Sequence, residues 1–248
     1  MRRIVVLLSL FVAFNATSQE LPYTAFGTLP VIEQPRVSPD GAHIAAILNG
    51  PDGPTVVVSD FGSTDLNAIV RLENEESRLD WIRWANDERI LISVSESSGL
   101  GAKRYRVPRL YQVGLDGKNM KQVRRKVTGK EYQRQVDWMK NMPTNKIISI
   151  LPDEPDHILM QLWDEWDEAY AVYKVEFAKN KFKKQFPNSY DVSEWTADSK
   201  GNVIYGWEHD VYSKEYVYWY RPLGEKKWRK LDSRKFDETT SFWQNKRH

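Results

Sequence analysis

The side chains of this chain that could do chemistry are gathered by charge. Asp164-Glu165-Trp166-Asp167-Glu168 places four carboxylates in five positions, with Asp153, Glu154 and Asp156 just upstream. Carboxylates grouped in this way suit a hard cation such as Ca²⁺, or the ammonium end of a peptide. The segment lacks the Asp-x-Asp-x-Asp-Gly order and the turn glycine of a calcium loop, so a solvated hairpin loop is the simpler expectation. Basic residues collect at 103–130, where Lys103, Arg104, Arg106, Arg109, Lys118, Lys121, Arg124, Arg125, Lys126 and Lys130 face a single acid, Asp116. Such a stripe with Tyr105 and Tyr111 could grip nucleic acid. Loops of neighbouring elements with complementary charge are the better reading, with a modest and salt-screened benefit.

All ten tryptophans lie at or beyond position 81. Trp163, Trp166, Trp207 and Trp219 could stack on a sugar or a peptide, although packing between sheets accounts for them more simply. His43, His157, His209 and His248 are the only imidazoles, and each reads as a strand or loop residue. No Gly-x-Ser-x-Gly pentapeptide occurs, since Gly62-Ser63 and Ser98-Gly99 both fail its spacing. No phosphate loop, His-Glu-x-x-His zinc site or dinucleotide glycine fingerprint is present. The absence of cysteine excludes disulfides, thiolate metal sites, iron–sulfur clusters and a cysteine nucleophile. The sequence therefore predicts no catalytic, cofactor-binding or metal-binding residue, and no cofactor.

The elements that carry these residues follow an apparent leader. Arg2 and Arg3 precede an apolar run from Ile4 to Phe14, and Ala16-Thr17-Ser18 offers small residues before a cut at Gln19. Residues 1–18 read as a secretory signal peptide, too short for a spanning helix of about 20 apolar residues. Its removal predicts a periplasmic or secreted protein with no membrane association. The formal charge of +2 belongs to this leader, and residues 19–248 balance 34 basic against 34 acidic side chains. A balanced exported chain argues against a nucleic-acid partner.

Beyond the leader a strand-and-turn grammar repeats, and helical periodicity is nearly absent. Val37-Ser38-Pro39-Asp40-Gly41 reads as a tight turn before the strand His43–Ile47. Leu115-Asp116-Gly117-Lys118 reads as a hairpin between Leu110–Val113 and Lys121–Val123. Comparable turns fall at Asp40, Asp87, Asp156 and Asp198, with spacings of 47, 69 and 42 residues. Two of these approach the roughly 40–45 residues of a four-stranded propeller blade. The long spacing is read as insertions at 101–109 and near 125–144. The expected fold is all-β, a β-propeller over 19–248 with about four four-stranded blades. They run over approximately 31–73, 78–124, 145–185 and 189–232, with 236–248 opening a fifth.

The Ser38-Pro39-Asp40-Gly41 turn before an Ile/Ala strand, with Leu110-Tyr111 leading into Leu115-Asp116-Gly117-Lys118, resembles the N-terminal propeller of the prolyl oligopeptidase family. The bacterial exported dipeptidyl and acylaminoacyl serine peptidases are the nearest branch. The resemblance covers about residues 25–248. It implies a seven-bladed propeller that restricts which peptides reach the catalytic Ser, Asp and His of a following α/β-hydrolase domain. None of those catalytic residues has a counterpart here. The expectation is therefore an incomplete ring, inactive as it stands, that meets peptide substrates only through the missing hydrolase domain. An open arc predicts self-association through an exposed blade. The alternative is a stand-alone periplasmic propeller that binds a protein, peptide or carbohydrate.

Overall fold

The computed structural model describes residues 30–74, 76–100, 103–125, 142–164, 167–186, 188, 192–210 and 212–235, and these contain no helix. The leader at 1–18, the region 126–141 and the fifth-blade segment 236–248 lie outside the described residues. Sixteen strands form four antiparallel four-stranded sheets, all within the unit Val31–His248. Sheet 1 takes β1 (Ile32–Val37), β2 (His43–Gly50), β3 (Gly53–Asp60) and β4 (Asn67–Arg71) in that order. Sheet 2 takes β5 (Ser77–Asn86), β6 (Arg89–Leu100), β7 (Lys103–Gly114) and β8 (Lys121–Gln122). Sheet 3 takes β9 (Ile147–Ser149), β10 (His157–Asp164), β11 (Ala169–Glu176) and β12 (Lys181–Phe186). Sheet 4 takes β13 (Glu194–Ala197), β14 (Val203–Asp210), β15 (Glu215–Tyr220) and β16 (Arg229–Lys235).

Strand composition follows position in the stack. A middle strand covered on both faces needs apolar residues throughout, and β10, His-Ile-Leu-Met-Gln-Leu-Trp-Asp, is buried along most of its length. The last strand of the same sheet alternates, with Phe182, Lys184 and Phe186 half-buried and Lys181, Lys183 and Gln185 exposed. The core is correspondingly three layers. Ala45, Ile47, Val56 and Val58 of sheet 1 pack on Ile82, Trp84, Ile90 and Ile92 of sheet 2. Leu91 and Leu110 of sheet 2 meet Ile158, Met160 and Ala171 of sheet 3. Leu159 and Val172 of sheet 3 meet Trp195 and Val203 of sheet 4.

The turns expected from the sequence close as tight loops. In the first, the Gly41 N–H donates to Ser38 O at 2.9 Å, and Asp40 Oδ1 accepts the Ala42 N–H at 3.0 Å. In the second, the Gly117 N–H donates to Gly114 O at 3.0 Å, with φ of 72°. That turn presses on sheet 1: a Cβ on Gly117 would sit 2.7 Å from Ile69 O.

Each sheet has the four strands expected of a blade, with β1, β5 and β13 preceding the first turns of sheets 1, 2 and 4. One feature departs from the sequence reading. The expected insertion at 101–109 is largely a prolongation of the β6–β7 hairpin. Its pairing runs unbroken from Arg89↔Gly114 to Leu100↔Lys103, twelve pairs against eight in the hairpins β2–β3 and β10–β11.

Candidate functional site

The acidic segment begins on a connected network of polar side chains. Asp164 ends β10 opposite Ala169, and the Asp167 N–H donates to Asp164 Oδ1 at 3.0 Å. β11 brings Tyr173, whose hydroxyl donates to the other oxygen, Asp164 Oδ2. β12 brings Lys184, with Nζ 3.1 Å from Asp164 Oδ1 and 2.7 Å from Asp167 Oδ2. Asp164 is only 1% exposed, so the expectation of a solvated loop is wrong for this residue. A buried carboxylate needs such donors, because desolvation without them is costly. Glu165 and Trp166 lie outside the described residues.

The network continues into the next sheet. Asp167 Oδ2 accepts the Asn188 N–H at 2.9 Å, and the Asn188 side-chain amide donates to Tyr170 O at 3.1 Å and Val192 O at 2.9 Å. The indole of Trp195, on β13, donates to the same Tyr170 O at 2.7 Å. Burial alone would raise the Asp164 carboxyl. The Tyr173 and Asp167 hydrogen bonds and the Lys184 ammonium outweigh it and hold the group below the ordinary carboxylate range. Burial likewise opposes the Lys184 charge, but Asp167 and Asp164 hold its ammonium above the usual lysine value. The acidic hairpin is thus a joint between sheets 3 and 4. Among the described residues no group of three or more His, Asp or Glu is arranged to hold a metal ion.

The acidic segment finds cationic partners within its own sheet. Glu154 pairs with Lys174, and Asp164 and Asp167 pair with Lys184, all within sheet 3. The basic run reaches sheet 3 by other means: the Arg125 guanidinium lies over the Tyr173 ring, 5.3 Å from its centroid, and the Arg124 N–H donates to Asn180 Oδ1 at 3.3 Å. Arg109 is half-buried and donates to Met142 O at 2.8 Å, and its burial lowers the guanidinium pKa.

The described histidines are dispersed. His43 Nδ1 is 3.0 Å from Asp60 Oδ1 and its ring lies 6.4 Å from Trp84. Nearby Ser38 is committed to the turn, donating to Asp40 and accepting the His43 N–H at 2.9 Å. His157 lies 3.8 Å from Glu154, and His209 stacks on Tyr216 at 5.1 Å. His248 lies outside the described residues.

The tryptophans divide. Trp195 is buried, and Trp219 packs against the same core from the inner face of sheet 4. Trp207 points the other way, sharing the outer face with Tyr205, His209, Tyr216, Tyr218 and Tyr220 through the pairs Tyr205↔Tyr220, Trp207↔Tyr218 and His209↔Tyr216. Trp163 meets Tyr170 edge-on at 5.4 Å. Arg221, at the junction of sheets 3 and 4, was not singled out from the sequence. Its guanidinium lies 5.0 Å from both the Phe186 and the Trp228 ring centroids and donates to Val203 O at 2.7 Å.

No protein-family model and no curated protein matches the chain. Solved structures do. Dipeptidyl peptidase 4 of Porphyromonas gingivalis superposes with a TM-score of 0.51 at 11% identity, over 83% of this chain and 33% of that one. The described sheets are the blades of a β-propeller. Acylaminoacyl peptidase of Pyrococcus horikoshii (TM-score 0.43, 13% identity, 84% of this chain and 32% of that one) is a weaker match. TolB of Acinetobacter baumannii (0.39, 13%, 80% and 40%) is weaker again. The chain spans well under half the length of these three proteins. At such identities the likeness concerns the propeller fold, and the blades here are sheets 1 to 4 in chain order.

Proposed function

We propose that the chain is the propeller portion of an exported serine peptidase of the prolyl oligopeptidase kind. Its task is to gate and orient peptides for a hydrolase domain, and it is catalytically empty by itself. The observation that carries this reading is the distribution of exposed apolar side chains. Val31, Ile32, Val37, Phe61 and Leu66 belong to blade 1 and its flanking loops, and Tyr212, Tyr220, Leu223 and Leu231 to blade 4 and its loops. Among the described residues, blades 2 and 3 expose no large hydrophobic in this way. Apolar surface confined to the two ends of a stack is what an open arc of a larger ring presents. The leader at 1–18 supports export, and the Ser38-Pro39-Asp40-Gly41 turn supports the family.

Purified protein incubated with dipeptidyl and acylated-amino-acid p-nitroanilides is expected to release no p-nitroaniline, and light scattering to show self-association. Hydrolysis blocked by a serine-directed phosphonate overturns catalytic emptiness. A monodisperse, protease-resistant monomer overturns the open arc. The coding sequence downstream is a third check: further blades and a Gly-x-Ser-x-Gly elbow support the reading, and an unrelated gene sinks it.

A stand-alone propeller that binds a carbohydrate is the second reading, favoured by the aromatic outer face of blade 4 around Trp207. Tryptophan fluorescence unmoved by a panel of oligosaccharides refutes it.

A further inference from the structure

The three seams between blades repeat one contact. The connection from a blade's third strand to its fourth sits on the fourth strand of the blade before. Gly117, between β7 and β8, lies so close to β4 that an added Cβ would stand 2.7 Å from Ile69 O. Asn180, between β11 and β12, donates through Nδ2 to Gln122 O of β8 at 3.0 Å. Arg221 and Trp228, between β15 and β16, lie against Phe186 of β12, with the guanidinium 5.0 Å from its ring centroid and the indole 5.9 Å from it.

Each half of this contact recurs, uncovered, at one end of the stack. The connection from β3 to β4 has six residues, 61–66, as does that from β7 to β8, 115–120. It closes in the same way: the Ser63 N–H donates to Asp60 O at 3.0 Å, as the Gly117 N–H does to Gly114 O. Ser63 therefore stands in blade 1 where Gly117 stands in blade 2. β16 in turn matches β4. Ile69 is the extra residue of a bulge between Val57↔Ala68 and Val56↔Val70, and Leu231 is the extra residue between Trp219↔Lys230 and Tyr218↔Asp232. Ile69 is 7% exposed beneath its turn, whereas Leu231 is 64% exposed. Phe61 and Leu66, in the same connection as Ser63, are 63% and 53% exposed. The thirteen residues 236–248 are fewer than the 27 from Glu194 to Tyr220 that precede the corresponding connection of blade 4, so they do not supply a turn for Leu231.

We infer that a second copy of this chain completes the contact, with the 61–66 turn of one copy seated on Leu231 of the other. This joint depends on the open arc proposed for the chain. Charge complements the shape. Residues 60–66 carry Asp60 and Asp65 and no base, and residues 225–235 carry Lys226, Lys227, Arg229, Lys230, Arg234 and Lys235 against Glu225 and Asp232. The facing surface of blade 1 is hollow. Ala45, Ile47, Val56 and Val58 turn toward blade 2, so Leu48 and Val57 turn away from it and, with Leu66 and Ala68, line a cleft of about 240 Å³. Its apolar walls suit the outer-face tyrosines of the partner's blade 4. Two copies joined at both ends make eight blades, within the roughly 4–8 at which propellers close.

The test uses the purified protein, which has no cysteine. Sedimentation velocity is expected to show a two-chain species. Leu231→Asp is expected to weaken it about tenfold, while Lys183→Gln, an equal charge change on the exposed face of β12, leaves it within about twofold. Gly117 stands close enough to Ile69 for a disulfide to bridge their counterparts. Ser63→Cys/Leu231→Cys oxidised with copper phenanthroline is therefore expected to give a covalent two-chain product, and neither single cysteine variant to give one. Circular dichroism verifies the fold of each variant. A covalent dimer from Ser63→Cys alone or Leu231→Cys alone overturns the head-to-tail joint. A ladder of three or more chains overturns the closed ring. Self-association that ignores Leu231→Asp, with no crosslink in the double variant, overturns this joint and leaves the open arc standing. A single-chain species, or a disulfide within one chain, overturns the open arc and the ring together.

Discussion

The side-chain amide of Gln161 pairs with the strand that carries Trp195 as another strand would. Gln161 Oε1 accepts the Trp195 N–H at 2.9 Å, and Gln161 Nε2 donates to Ser193 O at 2.9 Å. Gln34 repeats the device between blades 1 and 2, accepting the Ile82 N–H at 3.3 Å and donating to Asp80 O at 2.9 Å. Each amide satisfies two backbone groups in, or immediately before, the following blade's first strand.

Replacing Gln161 with Leu keeps the volume and leaves two polar backbone groups unmet at a buried seam. A loss of about 1–3 kcal/mol is expected, or roughly 2–4 °C in melting temperature per kcal/mol for a domain of this size. Gln161→Glu can still accept from Trp195 but sets a carboxylate oxygen against Ser193 O, so it falls at least as far. Thermal unfolding followed by circular dichroism measures both. A Gln161→Leu protein that melts with the wild type shows that the amide bridge contributes nothing.

This seam shows where the sequence was legible. The middle strands were readable because their burial demands runs such as Ile158-Leu159-Met160, and the turns because Asp40-Gly41 and Asp116-Gly117 carry local backbone geometry. The first strands of blades 1, 2 and 4 were not. β1 reads Ile-Glu-Gln-Pro-Arg-Val, with Pro35 inside and Gln34 at φ 52°, because its purpose is to send a polar side chain into the next blade. The β6–β7 ribbon was hidden for a related reason: pairing sustained by backbone bonds leaves Ser97, Ser98 and Gly99 without an apolar pattern. Asp164 looked like one member of an exposed acidic run because its partners Tyr173 and Lys184 come from strands 9 and 20 residues further on.

The Asp164 joint predicts acid sensitivity. Its carboxyl is held below the ordinary value in the folded protein, despite burial, by Tyr173, the Asp167 N–H and Lys184. A depressed carboxylate contributes stability that is present above the unfolded pKa, about 3.9, and is lost as pH falls through the folded pKa. Melting temperature should therefore drop below about pH 4. Tyr173→Phe removes one donor, brings the folded pKa closer to the unfolded value and is expected to destabilise by about 1–3 kcal/mol at neutral pH. Asp164→Asn should flatten the acid limb. Lys184 acts at the other end: its raised pKa means that its contribution is complete below about pH 10.4 and is lost only as pH rises through the folded value. Melting curves from pH 2 to 8 test the acid limb, and an Asp164→Asn protein with an unchanged slope assigns that limb to other carboxylates.

Two glycines with nearly the same backbone angle should respond differently to alanine. Gly41 has φ of 76° and nothing within 4 Å of a added Cβ, so Gly41→Ala costs only the left-handed conformation, about 1–2 kcal/mol. Gly117 has φ of 72°, and its added Cβ would stand 2.7 Å from Ile69 O and 3.1 Å from Ile69 Cα. Those are backbone atoms of β4, which cannot rotate aside, so Gly117→Ala must also move the β7–β8 turn away from blade 1. Ile69 itself belongs to the core layer between blades 1 and 2, and the displacement spreads into that layer. Urea denaturation is expected to give midpoints in the order wild type, Gly41→Ala, Gly117→Ala, with the second step larger than the first. Equal midpoints for the two variants would show that the turn approaches Ile69 less closely in solution and that blades 1 and 2 do not depend on a residue without a side chain at this position.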